Sequence, residues 1–252
     1  MSVKIEKRAT TAILRMDKPR ANAIDGAFVE DMTRAVMELE EDAEIKGILL
    51  ASAHPRVFCP GLDLVGLLEL DRAGMKDFMK RFARMVQALY GSSRPIVAAL
   101  GGHAVAGGCV LALTADYRVI VRGANIGLNE VRVGVPLPWT VATLLKASIR
   151  PERLSEVALL GRNFADESAL DVGLVHELVD ADCEATSLER LAEFAFKDAV
   201  SIAKTKRALR AEVLDAMKAH EEEYLDEWIE AWFSDSTRSR IREIVAGMGK
   251  AK

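Results

Sequence analysis

The feature that most limits the fold is a set of short apolar runs spaced between helix-like segments. "IKGILLASA" and "RPIVAAL" carry almost no polar residues. A strand with one face in water alternates apolar and polar residues, so an unbroken apolar run suits a strand covered on both faces. "DYRVIVRG" reads as a further strand. Ahead of them, "GAFVEDMTRAVMELEED" places Phe28, Met32, Val36 and Leu39 at helical spacing. The opening "VKIEKRATTAILRM" alternates instead, and predicts two strands with a turn near Arg8 and Ala9. "DKPRANAID" and "HPRVFCPGLDL" read as loops, the second leading into a helical region that runs to about Tyr90. This alternation continues to about residue 180 and predicts an α/β protein. From about Leu188 strand signals vanish and long charged amphipathic helices take over. The natural division is a core over residues 1–190 and a helical C-terminal segment over 191–252. No low-complexity linker separates them, so the helices are expected to pack on the core or on a neighbouring chain.

Composition narrows the function. Half of the 252 residues are hydrophobic, enough to bury a sizeable core. A net charge of -4 argues against nucleic acid as the main partner, because phosphate binding needs clustered basic residues. The basic run Lys204-Thr205-Lys206-Arg207 reads as a solvated helix face. Cys59, Cys109 and Cys183 are odd in number with no paired spacing, which fits a reducing cytoplasm better than a disulfide framework. The N-terminus has no apolar signal core, and no window approaches the length needed to cross a bilayer. His54, His103, His176 and His220 stand far apart, so no metal site is expected of them. There is no Gly-x-Ser-x-Gly elbow, CxxC, HExxH, phosphate loop or dinucleotide fingerprint.

Two junctions rich in small residues remain, "FCPGLDL" and "GGHAVAGGCV". Glycine there lets a substrate approach the backbone, and the free N–H groups of a helix's first turn carry partial positive charge. Two such groups converging on one point would form an oxyanion hole. Tight helix-sheet packing explains the same glycines, and the two readings stand level.

"DKPRANAID", "VFCPGLDL", "GGHAVAGGCVLALTADYRV", "IGLNEVRVGV" and "GLVHELVD" follow one another in an order and spacing that resembles the crotonase, or enoyl-CoA hydratase/isomerase, superfamily. The resemblance weakens beyond about residue 190. It implies a spiral of repeated ββα units followed by a helical trimerisation segment, and a homotrimer or a dimer of trimers. It also implies coenzyme A thioesters as substrates, with no other cofactor. The oxyanion hole it implies is built from the N–H of Leu62 and the N–H of Gly107. Backbone contacts to the coenzyme A moiety carry over to Arg20, Ala21 and Ala23, and to Pro60, Gly61, Asp63 and Leu64. Pro60 departs from the commoner alanine, but keeps the carbonyl. Asp63 serves equally well as a helix cap.

The resemblance further implies two glutamates in hydratases of this superfamily. The first position holds Val110 in this chain, whereas the second holds Glu130. Valine cannot hold or deprotonate water, and one carboxylate suffices for a different reaction. It can take a proton from C2 of a 3-enoyl thioester and return it at C4. An apolar wall at Val110 would exclude water, and burial would raise the glutamate pKa into a useful range. "PLPWTVATLL" lacks the glycines hydratases carry there, so the chain is most like Δ3,Δ2-enoyl-CoA isomerases. Trp139 in that segment is a candidate wall of the acyl pocket, against a simple packing role. Glu69, Asp71 and Asp77 read as solvated helix residues. Tyr224, Trp228, Trp232 and Phe233 read as internal packing, a subunit interface or a pocket lid. A hydratase with displaced acid-base groups and a silent acyl-CoA-binding scaffold are the competing expectations.

Overall fold

The computed structural model describes residues 1–248; positions 249–252 of the expected C-terminal segment lie outside the described residues. The chain opens with β1 (Val3–Arg8), β2 (Thr11–Met16), α1 (Gly26–Glu41) and β3 (Gly47–Ser52). It continues through β4 (Val57–Cys59), α2 (Leu64–Leu67), α3 (Arg72–Gly91), β5 (Ile96–Leu100), β6 (His103–Val105) and α4 (Gly107–Thr114). Next come β7 (Tyr117–Val121), β8 (Asn125–Gly127), α5 (Glu130–Val133), α6 (Trp139–Ser148) and α7 (Leu154–Ala158). The last elements are β9 (Phe164–Ala165), α8 (Asp166–Asp171), β10 (Glu177–Val179), α9 (Cys183–Ala195), α10 (Ala199–Ala219), α11 (Glu221–Phe233) and α12 (Asp235–Met248).

Successive strands divide between two sheets. One has the order β1-β2-β3-β5-β7-β10 and the other β4-β6-β8-β9. Among the described residues only the β1–β2 and β8–β9 pairs are antiparallel. The pairs β3–β4, β5–β6 and β7–β8 therefore each send one strand to the first sheet, the next to the second, and then add helix, whereas β9 joins the second sheet before β10 closes the first. This is the expected spiral of ββα units. The apolar runs behave as anticipated, because the larger sheet is covered on both faces. Ile13, Leu49, Ala51, Val97 and Val119 pack with Cys183 and Leu191 of α9. Leu14, Leu50, Ile96 and Ala98 face the main core with α1 and α3. The sequence boundary at residue 190 falls within α9, whose packing ties it to the sheet.

Helix α1 forms where the spacing predicts. Asp25 caps it by accepting the Phe28 N–H at 2.9 Å, and Phe28, Met32 and Leu39 are fully buried. Burying each such side chain is worth about 1.5–3 kcal/mol. Helix α3 starts on the Asp71 cap, which accepts the Gly74 N–H at 2.7 Å, so Asp71 is a structural cap. Asp77 pairs with Arg81 one turn along the same helix.

Two expectations need correction. "HPRVFCPGLDL" contains β4, so the segment is not all loop. Lys206 is not part of a solvated face; its ammonium is buried and reaches both the Arg94 carbonyl and the Asp116 carboxylate at 2.6 Å. Arg210 meets the same carboxylate at 2.7 Å. Helix α10 lies over the core there, and a buried cation requires such a partner. No helix among the described residues is long and apolar enough to cross a membrane.

Candidate active site

The site is built where two loops dock. Ile24 and Leu62 form an isolated bridge: the Ile24 N–H donates to the Gly61 carbonyl at 2.8 Å, and the Asp63 N–H donates to the Ile24 carbonyl at 2.9 Å. The Arg20–Ala21–Asn22 turn has three consecutive residues with positive φ, a conformation that needs support from outside the turn. Asn22 supplies it. Its buried side chain accepts the Lys18 N–H and donates to the Ser52 hydroxyl and the Phe58 carbonyl. The sulfur of Cys59 bridges the same two loops, donating to the Asn22 carbonyl at 3.3 Å and accepting the Gly61 N–H at 3.5 Å.

Gly61 has φ +104 and lies so close to the second junction that a Cβ on it would stand 2.9 Å from Ala106 Cβ and 3.2 Å from Gly107 N. Ala106, with φ 50 and ψ -121, is strained for a residue with a side chain. Its N–H is held by the Gly127 carbonyl at 2.8 Å. That turn leaves Gly107 as the first residue of α4. Among the described residues, neither the Leu62 N–H nor the Gly107 N–H has an acceptor, and both residues line one cavity. Gly108 serves packing instead, because a Cβ there would overlap the Cys59 carbonyl.

The cavity measures about 440 Å³. Pro60, Leu62, Leu64, Gly107, Val110 and Glu130 all line it, so these expected site residues are brought together. Glu130 opens α5, and its Oε2 is fully shielded from solvent without a hydrogen-bond partner. Burial pushes its carboxyl pKa up from 4.5 to about 7, against a smaller lowering by its own backbone N–H. Val110 forms an apolar wall. Glu130 is the only carboxylate lining the cavity among the described residues; Asn129 and Arg132 are its other polar walls.

Other expected residues sit elsewhere. Arg20, Ala21 and Ala23 do not line the cavity but belong to the loop docked beside it. Asp63 does cap α2, accepting the Gly66 N–H at 3.4 Å, and also pairs with Arg20 at 3.3 Å. Trp139 requires correction: it is not among the walls of this cavity but lines a small separate hollow next to it, together with Pro138 and Trp228. Its indole N–H donates to the Ala216 carbonyl at 2.7 Å and its ring stacks on Tyr224, so packing onto α10 and α11 holds it away. Trp228 and Trp232, stacked at 5.3 Å, do line the cavity. Met79, Phe82, Val141 and Ile244 were missed as wall residues, since apolar residues on a helix face look like any core.

Residues 6–239 match the family model for enoyl-CoA hydratase/isomerase, and the chain belongs to that family. It is similar to human mitochondrial enoyl-CoA delta isomerase 1, with 30% identity over 189 residues. That match takes in 74% of this chain and 63% of the human protein, so the chain spans less than two thirds of the relative's length. It is also similar to a short-chain-enoyl-CoA hydratase of Clostridium acetobutylicum, 25% identical over 71% of this chain and 69% of that protein. The crystal structure of human mitochondrial delta3-delta2-enoyl-CoA isomerase superposes with a TM-score of 0.95 at 25% identity, covering 100% of both chains. The fold is therefore the crotonase fold.

Proposed function

We propose that the protein is a Δ3,Δ2-enoyl-CoA isomerase working with one carboxylate. The observation that carries this reading is Glu130 as the sole carboxylate of the cavity among the described residues, with Val110 where the resemblance puts a second. The ionised Glu130 takes the proton from C2 of a 3-enoyl thioester. The electron pair moves into the thioester carbonyl, giving a dienolate whose oxygen accepts hydrogen bonds from the Leu62 and Gly107 N–H groups. The protonated Glu130 then returns the proton at C4, and the double bond forms between C2 and C3. The thioester carbonyl is restored, and no proton is gained or lost overall. A pKa near 7 suits a group that must both take and give that proton. The shielded surroundings strengthen both donors.

The reading includes a coenzyme A thioester as substrate with no further cofactor, and contacts from the Arg20–Ala23 and Pro60–Leu64 loops to the coenzyme A moiety. It also includes a homotrimer or a dimer of trimers. Free, buried Cys59, Cys109 and Cys183 support a reducing cytoplasmic setting. The test compares the purified protein on 3-enoyl-CoA and 2-enoyl-CoA at several chain lengths. Formation of conjugated 2-enoyl product from 3-enoyl-CoA, lost in Glu130→Gln, is expected. Faster hydration of 2-enoyl-CoA would point to a hydratase, and tight binding without turnover to a silent scaffold.

A further inference from the structure

The far wall of the cavity is a thin partition. Met79 and Phe82 of α3, Pro138 before α6 and Trp228 of α11 line the 440 Å³ cavity. The same four side chains also line a second hollow of about 20 Å³, which Ala83 and Tyr224 help to close. None of the residues of the oxyanion hole lines that hollow, nor does Glu130. A space of 20 Å³ holds about one water, so an acyl chain entering from the hole stops at the partition.

The four side chains differ in stiffness. Trp228 is pinned by its indole N–H on the Pro136 carbonyl at 3.0 Å and by its stack on Trp232. Phe82 stacks on Phe78, with ring centres 6.4 Å apart. Pro138 caps α6 and has no rotatable side chain. Met79 is unbranched and buried, and has no polar atom tied to a partner. We propose that Met79 is the residue that sets acyl chain length. The site takes acyl groups with an apolar tail whose terminal carbons abut Met79, and the hollow behind it is a latent extension of the acyl pocket. This rests on the acyl-CoA reading above and adds the class of acyl group and the residue that limits it.

The test uses saturated acyl-CoAs, which bind without reacting, so that binding and turnover are read separately. Calorimetric Kd values for the full chain should tighten about fourfold per added methylene, the burial gain per CH₂ expressed as a ratio. They should then level off at one chain length. Met79→Ala should move that plateau outward by roughly two methylenes, in keeping with the side-chain atoms removed. Met79→Val should give a smaller outward shift, and serves if the alanine variant does not fold. Adding Ala83→Leu to Met79→Ala refills the hollow from one turn along the same helix face, and should bring the plateau back. An unmoved plateau in both single variants overturns the proposal, as does a wild-type affinity that rises with length without levelling. Length-dependent binding with the expected shifts but no isomerisation would instead refute the proposed reaction and leave the partition standing.

Discussion

Substituting Glu130 tests the site through stability as well as through catalysis. Burial raises this carboxyl from 4.5 to about 7, so between those values the folded protein binds a proton that the unfolded chain has begun to release. Stability therefore falls as pH rises through that window, and the loss is complete above about pH 7. At about 1.4 kcal/mol per pH unit the full displacement is worth about 3 kcal/mol. Most of it, about 2–3 kcal/mol, lies between pH 5 and pH 8. Glu130→Gln keeps the shape and removes the charge, so it removes this loss. The new amide also brings a donor into a spot where Oε2 has no partner, a penalty of about 1–3 kcal/mol that does not depend on pH. The decisive quantity is thus the change in the variant-minus-wild-type difference between the two pH values, from which the constant penalty cancels. Urea unfolding at pH 5 and pH 8 should show the variant gaining about 2–3 kcal/mol on the wild type at the higher pH. In melting temperature this is about 5–10 °C for a chain of this size. If the difference is the same at both pH values, the carboxylate is solvated and the reasoning for its raised pKa fails.

In steady-state assays of 3-enoyl-CoA isomerisation from pH 5 to 9, kcat/KM should rise through about pH 7 and then level if, as proposed, the ionised Glu130 is the base. Glu130→Gln should lower kcat by about 10²–10⁴. Gly107→Ala and Gly108→Ala should separate the two glycines. A Cβ on Gly107 meets the movable end of Ile24 at 2.9 Å, so the expected loss is about 10²–10³ in kcat from a displaced donor, with modest loss of stability. A Cβ on Gly108 meets the fixed Cys59 carbonyl, and denaturant unfolding should show a loss at the upper end of about 1–3 kcal/mol or beyond. Asp116→Ala leaves Lys206 and Arg210 buried together without their carboxylate and should cost about 3–5 kcal/mol. Lys206→Met, which leaves the Arg210–Asp116 pair intact, should cost less in the same measurement.

The centre of the larger sheet was legible because β3 and β5 are buried on both faces, and "GILLAS" and "IVAAL" therefore read as unbroken apolar runs. The second sheet was not. Strands β4, β6 and β8 are three residues each, too short for a period of two to register, and β6 hides beside the glycines at 101 and 102. Only the resemblance to a spiral of ββα units anticipated them. Lys206 was misread for a related reason: sequence shows that a cation is present, but its partner Asp116 is 90 residues away.

The candidate site was legible where it depends on which residue is present, and obscure where it depends on what surrounds it. Val110 and Glu130 read as a missing and a retained carboxylate from sequence alone, because valine has no acid-base function in any environment. That Gly107 bears a free donor while Gly108 only makes room for a carbonyl follows from the strained turn at Ala106, and both are written simply as glycine. The tryptophans show the same limit. Trp139, Trp228 and Trp232 are one residue type, yet the cavity is walled by the latter two and the first is drawn to α10 by its hydrogen bond to Ala216. A wall residue is defined by the space in front of it. That space arises from α3, α6 and α11 together, so it cannot be read from the pattern of any one of them.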